Sequence, residues 1–177
     1  LNTPTIVVPT NNAYITATNH SINYSTGADA DGDSVTYYLF LDALFNGTFT
    51  VNTTMNLTDR RSYRINVSAY DGFVFSTNAT VNYTVDTITP ALYNNGSNTT
   101  NLTTQQSVRL TVNVTDNLDL NTIILEDNFT GVAVNTTVLA SSNPYNASFD
   151  RTVTQKKSNF TYFRFYVNDT AGNFNST

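Results

Sequence analysis

Aspartates are the residues of this chain most able to act together chemically. Asp29-Ala30-Asp31-Gly32-Asp33 places three carboxylates at alternate positions, and Asp71-Gly72 adds a fourth. A second set comprises Asp116, Asn117, Asp119 and Asp169, with Asp86 between the two sets in the chain. Clustered carboxylates repel, and calcium, a hard cation that takes about six to eight oxygens, would neutralise them. The Asp29 run is not an EF-hand loop: its glycine comes too early and no Glu stands at the twelfth position. Two other uses of the same acids stay open. Basic doublets at Arg60-Arg61 and Lys156-Lys157 could pair with them across a joint between domains, contributing about 0 to 1 kcal/mol per exposed pair. Alternatively the acids simply cap turns.

Asparagine carries a second chemical theme. The acceptor signature for N-glycosylation, N-x-[ST] with x not Pro, occurs at Asn19, Asn23, Asn46, Asn52, Asn56, Asn66, Asn78, Asn82, Asn95, Asn98, Asn101, Asn113, Asn128, Asn135, Asn146, Asn159, Asn168 and Asn175. These are 18 of the 26 asparagines. Ser and Thr make up 45 of the 177 residues, so chance would give roughly 6 or 7. In a strand the three residues of the signature point out, in and out. The middle residue is apolar at Leu57, Val67, Leu102, Val114, Phe129 and Phe160, and aromatic at Tyr24 and Tyr83. The acceptor then lies on the wet face while its neighbour fills the core. Covalent N-glycans at so many positions imply an extracellular or cell-surface protein.

Other chemistry is sparse. His20, the single histidine, sits inside Asn19-His20-Ser21, and no nucleophile, base and orienting acid form a triad pattern. Lys156 and Lys157 lie in a polar turn, unlike a lysine buried for an isopeptide bond. The chain is therefore expected not to be an enzyme. Its net charge of −5 offers no basic stripe to phosphates, so nucleic acid is not an expected partner. It has no cysteine, hence no disulfide and no thiolate metal site. No apolar run approaches the roughly 18 residues of a membrane span. The chain starts at Leu1 without a leader and reads as a mature or excised piece of something longer.

Strands must position these groups. Thr, Tyr, Phe and Val favour them, and no stretch has a convincing helical period. From Tyr63 to Tyr70 the chain alternates with period 2. Tyr63, Ile65, Val67 and Ala69 should face a core, and Arg64, Asn66, Ser68 and Tyr70 should face solvent. Ser107–Thr115 reads the same way, with Val108, Leu110, Val112 and Val114 inward. Asn46-Gly47 is the strongest hairpin signal. At Thr87-Ile88-Thr89-Pro90 the pattern restarts: Pro90 answers Pro4, Arg164 answers Arg64, Val167 answers Val67, and Asp169 to Gly172 answers Asp71-Gly72. About seven short strands per half is the pattern of an immunoglobulin-type sandwich.

Leu57-Thr58-Asp59-Arg60-Arg61-Ser62-Tyr63, followed by Ile65, Val67, Ala69 and Asp71, resembles the tyrosine corner and F strand of fibronectin type III domains. The run from Asp29 to Tyr37, with Asp71-Gly72 later, is similar to cadherin-like repeats of prokaryotic surface proteins. Val167-Asn168-Asp169-Thr170-Ala171-Gly172-Asn173 resembles the closing motif of bacterial and archaeal Ig-like repeats. A cysteine-free, sequon-dense, Thr-rich composition resembles archaeal surface proteins.

The expectation is an all-β chain of two tandem Ig-like (fibronectin III- or cadherin-like) antiparallel β-sandwiches, at 1–88 and 89–177. The second lacks its full last strand and is completed by one from the next repeat or subunit. In that fold the B–C and F–G loops share a pole. The pole gathers Asp29, Asp31, Asp33 and Asp71 in the first domain, and Asp116, Asn117, Asp119 and Asp169 in the second, with Asp86 in the linker. The basic doublets lie at the opposite poles. The implied function is structural: a heavily N-glycosylated repeat or subunit of an extracellular filament or surface assembly. It would stack head-to-tail on copies of itself through calcium or salt-bridged joints. The alternative is an adhesin or carbohydrate-binding module whose outward Tyr38, Tyr70, Tyr162 and Tyr166 stack on glycans or meet a host surface.

Overall fold

The computed structural model describes residues 1–25, 28–154 and 160–177, with residues 60 and 61 described by their backbone alone. The described residues are all-β and form two units, Leu1–Thr87 and Ile88–Thr177.

The first unit contains β1 (Thr5–Val8), β2 (Ala13–Ile15), β3 (Asn19–Ser25), β4 (Thr36–Leu41), β5 (Leu44–Phe49), β6 (Thr53–Asn56), β7 (Arg60–Tyr70) and β8 (Ala79–Val85). They pair as a three-stranded sheet, β1-β3-β6, and a five-stranded sheet, β2-β8-β7-β4-β5. Period-2 alternation builds the core. Tyr63, Ile65, Val67 and Ala69 of β7 are buried with Leu39 of β4, Val81 and Tyr83 of β8, and Ile22 and Met55 of the other sheet. The Tyr63 hydroxyl donates to the Thr58 carbonyl at 3.0 Å, which is the geometry of a tyrosine corner. It pins the turn that leads into β7.

The second unit contains β9 (Ala91–Ser97), β10 (Ser107–Thr115), β11 (Leu120–Asp127), β12 (Val134–Leu139), β13 (Tyr145–Thr152), β14 (Phe163–Asp169) and β15 (Phe174–Ser176). Its sheets are β13-β10-β9 and β12-β11-β14-β15. Val108, Leu110, Val112 and Val114 of β10 are buried with Ile123, Leu125, Phe165 and Val167. Whereas β8 spans seven residues, β15 spans three and pairs with Tyr166, Val167 and Asn168 of β14.

Three details depart from the sequence reading. First, the sheets are not wholly antiparallel: β2 pairs with β8 in parallel. Second, the β4–β5 hairpin turns at Asp42-Ala43, with φ of 51° and 69°, and not at Asn46-Gly47. Leu41, paired with the buried Ile65, is the last residue of β4, and the chain reverses directly after it, short of the expected turn. Two residues at positive φ are what a type I′ hairpin needs, and the Asp42 carboxylate steadies this one by accepting the Arg64 N–H at 2.9 Å. Asn46-Gly47 instead lies within β5 beside a bulge. Third, Asn66 and Ser68 do not face open solvent. They are 8% and 4% exposed, because aromatic side chains crowd the outer face of this sheet.

Candidate functional site

Of the acids expected at the first unit's pole, Asp29 and Asp71 act on their own loops. Asp29 Oδ2 accepts the Asp33 N–H at 2.8 Å, while Asp31 and Asp33 are exposed. Asp71 Oδ1 accepts the N–H groups of Phe73 and Val74, each at 2.8 Å, and these bonds hold its carboxyl below the usual range. Among the described residues, no three carboxylates within this unit come close enough to share an ion. Asp86, the residue after β8, is buried, and its N–H donates to the Ile15 carbonyl at 2.9 Å.

The second unit does bring acids together. Asp116 follows β10 and Asp169 ends β14, and each offers a carboxylate oxygen within 4.8 Å of the other. Asp169 is fully buried. Its Oδ1 accepts from the Gly172 and Asn173 N–H groups at 2.7 and 2.8 Å, and its Oδ2 from Asn173 Nδ2 at 2.8 Å. Asp116 Oδ2 accepts from the Leu118 N–H at 2.8 Å, whereas its Oδ1 is shut from solvent with no hydrogen-bond donor. Burial pushes the Asp116 carboxyl up against the pull of its backbone N–H donors, and the charges of Asp169 and Asp119 add to the rise. Asp119 is half-buried beside this loop, and its carbonyl accepts the Thr170 N–H at 3.0 Å, while Asn117 is exposed.

Sequence reasoning missed the residue that shapes the loop. Asn143 Nδ2 donates to the Asp116 and Leu118 carbonyls, at 2.8 and 2.9 Å, and its Oδ1 accepts the Asp116 N–H at 3.0 Å. Its one sequence signal was an Asn before a Pro outside any sequon. Of the basic doublets, the backbone of Arg60 and Arg61 opens β7, and Lys156 and Lys157 lie outside the described residues.

The glycan acceptors sort clearly. Asn159 lies outside the described residues. Of the seventeen others, eleven are exposed: Asn19, Asn46, Asn52, Asn56, Asn78, Asn82, Asn95, Asn98, Asn101, Asn135 and Asn146. Asn23, Asn113, Asn128, Asn168 and Asn175 are half-buried, and Asn66 is buried. Some of the less exposed acceptors hold strands together. Asn168 Oδ1 accepts the Thr122 N–H at 3.1 Å, and Asn175 Nδ2 donates to the Pro90 carbonyl at 2.8 Å.

Outward aromatics form a second surface feature. On the five-stranded sheet Tyr38 packs against Phe45, Tyr70 and Phe75 with ring centroids 5.0 to 5.9 Å apart, and Tyr70 stacks on Phe75 at 4.4 Å. In the second unit Glu126, the only glutamate, accepts the Tyr162 and Tyr166 hydroxyls at 2.8 and 2.5 Å. These hydroxyls draw its carboxyl below the usual range. A lone Glu at an outward position opposite Arg164 was the available signal for this arrangement. His20 is also spoken for: its Nε2 lies 3.0 Å from the Tyr83 hydroxyl, and the rings meet edge to face.

No protein-family model matches the sequence, and no curated protein matches it. Among solved structures the chain is similar to the N-terminal eight Ig domains of Down Syndrome Cell Adhesion Molecule isoform 1.30.30. The TM-score is 0.58 at 14% identity, covering 98% of this chain and 27% of that one. It is also similar to the FN1-FN3 domains of chicken CNTN1, with TM-score 0.43, 10% identity and coverage of 99% and 68%. A third is SGBP-B of the Bacteroides ovatus mixed-linkage glucan utilization locus, with TM-score 0.39, 14% identity and coverage of 100% and 46%. The chain thus spans about a quarter of the Ig array and under half of the Bacteroides protein. At such identity the likeness to the Ig array shows the fold alone, tandem Ig-like β-sandwiches.

Proposed function

We propose that this chain is a structural, heavily N-glycosylated repeat or subunit of an extracellular filament or surface assembly, meeting copies of itself head-to-tail. The observation that supports this most is the placement of the acceptors: eleven exposed sequon asparagines are spread over both units. Their density means that much of the outer surface carries sugar, and the apolar cores supply the rigid body beneath it.

Calcium fits the second unit's pole on donor chemistry. Asp116 and Asp169 supply hard oxygen ligands, and Asp116 Oδ1 is a buried acceptor without a donor. A bound divalent cation would offset the carboxylate repulsion and stiffen the loops after β10 and β14. We assign the chain no catalysis.

Negative-stain imaging of the purified chain, with calcium and with chelator, tests the assembly. Regular fibres are the expected result. Monodisperse monomers that bind a glycan array would contradict it and favour a second reading, an adhesin or carbohydrate-binding module. The observation favouring that reading is the outward aromatic group of Tyr38, Phe45, Tyr70 and Phe75.

A further inference from the structure

Two pairs of glycan acceptors stand directly opposite each other across antiparallel strands. In the first unit Asn19 on β3 pairs with Asn56 on β6. In the second Asn113 on β10 pairs with Asn146 on β13. Opposed side chains have Cβ atoms about 5 Å apart, too close for two sugars to leave the sheet side by side.

The second pair has an additional neighbour. On its other side Asn113 pairs with Tyr93 of β9, a residue 41% exposed. Tyr93, Asn113 and Asn146 therefore form one row across three strands. Together with Pro144 and Tyr145 they line a cavity of about 230 Å³, roomy enough for one pyranose. Its lining holds no charge: two tyrosines, a pyrrolidine and two carboxamides suit the C–H face and the hydroxyls of a neutral sugar. Asn146 is exposed and accessible to a transferase, whereas Asn113 is half-buried between its neighbours. From Asn146 to Tyr93 is two strand spacings, about 9.6 Å, which an asparagine side chain and one pyranose can bridge.

We infer that Asn146 carries an N-linked glycan whose first sugar lies across Asn113 and packs on Tyr93. Asn113 stays unmodified and hydrogen-bonds that sugar. The donor is a phosphate-activated oligosaccharide. Asn146 Nδ2 bonds to the anomeric carbon, the bond from that carbon to the phosphate oxygen breaks, the phosphate leaves with the electron pair, and the amide proton passes to the transferase's base. The inference rests on the glycoprotein reading given above and adds an intramolecular seat to it. The Asn19–Asn56 pair is the internal control, because the register gives Asn19 no β1 partner among the described residues.

The test compares the full chain from a host that N-glycosylates secreted proteins with the same chain from one that does not. Glycopeptide masses should show Asn146 occupied and Asn113 bare. Tyr93→Ala should lower the Tm of the glycosylated form by about 4 °C and leave the unglycosylated form unchanged, while Tyr93→Phe should retain most of the effect. Occupancy at Asn113 in place of Asn146, or a Tyr93→Ala shift equal in both forms or absent from both, overturns the seat. A chain modified at Asn19 or Asn78 but bare at Asn146 overturns the seat alone. A chain bare everywhere overturns the glycoprotein reading as well.

Discussion

The Thr80 hydroxyl donates to the side-chain oxygen of Asn66 at 2.7 Å, tying β8 to β7 at a sequon that is nearly closed to solvent. Asn66 is flanked by Phe40 on β4 and Thr80 on β8. Asn66→Gln should therefore destabilise the first unit by about 1–2 kcal/mol in protein made without glycosylation, since it displaces a nearly buried amide from its cross-strand hydrogen bond. Asn78→Gln, at an exposed sequon, should stay within about 0.5 kcal/mol. Urea denaturation measures both, and equal effects would contradict the assignment of Asn66 to structure.

Two ion pairs of the second unit should differ sharply in worth. Arg151 Nε donates to Asp127 Oδ2 at 2.7 Å, and Asp127 is buried. Arg109 meets Asp150 at 2.8 Å with both side chains more than half exposed. Arg151→Met should cost about 3 kcal/mol, because it strands a buried carboxylate. Arg109→Met should cost about 0 to 1 kcal/mol. Similar losses in urea would show that burial does not set the difference.

The fold was largely legible because strands write a period of 2 into the sequence. Tyr63, Ile65, Val67 and Ala69 are buried as that period requires, and the run from Thr58 to Tyr63 was enough to expect the tyrosine corner. The outer face was less legible. Alternation gives which side Asn66 points to, but the aromatics that cover it come from β4, β5 and the loop after β7. The turn at Asp42-Ala43 was hidden because Asn46-Gly47 is the more usual hairpin pair. Of the acidic poles, clustering in sequence did not distinguish Asp29 and Asp71, which bond their own loops, from Asp116 and Asp169, which converge only through the β10 and β14 ends. Asn143, which holds that loop, lies 27 residues from Asp116 in sequence and carries no motif.

Alkali should unfold the first unit ahead of the usual tyrosine-independent loss. Burial pushes the Tyr24 hydroxyl from 10.0 up to about 12, with Tyr37 adding to the rise, and that hydroxyl donates to the Val51 carbonyl at 2.6 Å. The folded state holds this proton more tightly than the unfolded chain does. The stability it contributes is present below pH 10.0 and is lost as pH climbs toward about 12. Tyr24→Phe should flatten the fall of unit 1 stability over that window. A variant that tracks the parent protein would contradict this.

Calcium should act through Asp116. Its raised carboxyl means that the folded state favours the protonated form, so the ionised group costs stability at neutral pH and that cost is relieved as pH falls through the raised value. Asp116→Asn should then raise the Tm of the second unit in chelator. Added calcium should raise the Tm of the parent protein and leave the variant unmoved. A parent melt identical in calcium and chelator sinks the metal reading while leaving the sandwich fold and the glycoprotein proposal untouched.

A glycopeptide map of the chain, purified from a host that N-glycosylates secreted proteins, tests the central claim most directly. The expected map has sugar at the exposed acceptors, among them Asn19, Asn46, Asn78, Asn82, Asn135 and Asn146, and none at Asn66. Unmodified peptides at all of these positions, or Asn66 occupied as fully as Asn78, would contradict a body built to carry its sugar on the outside.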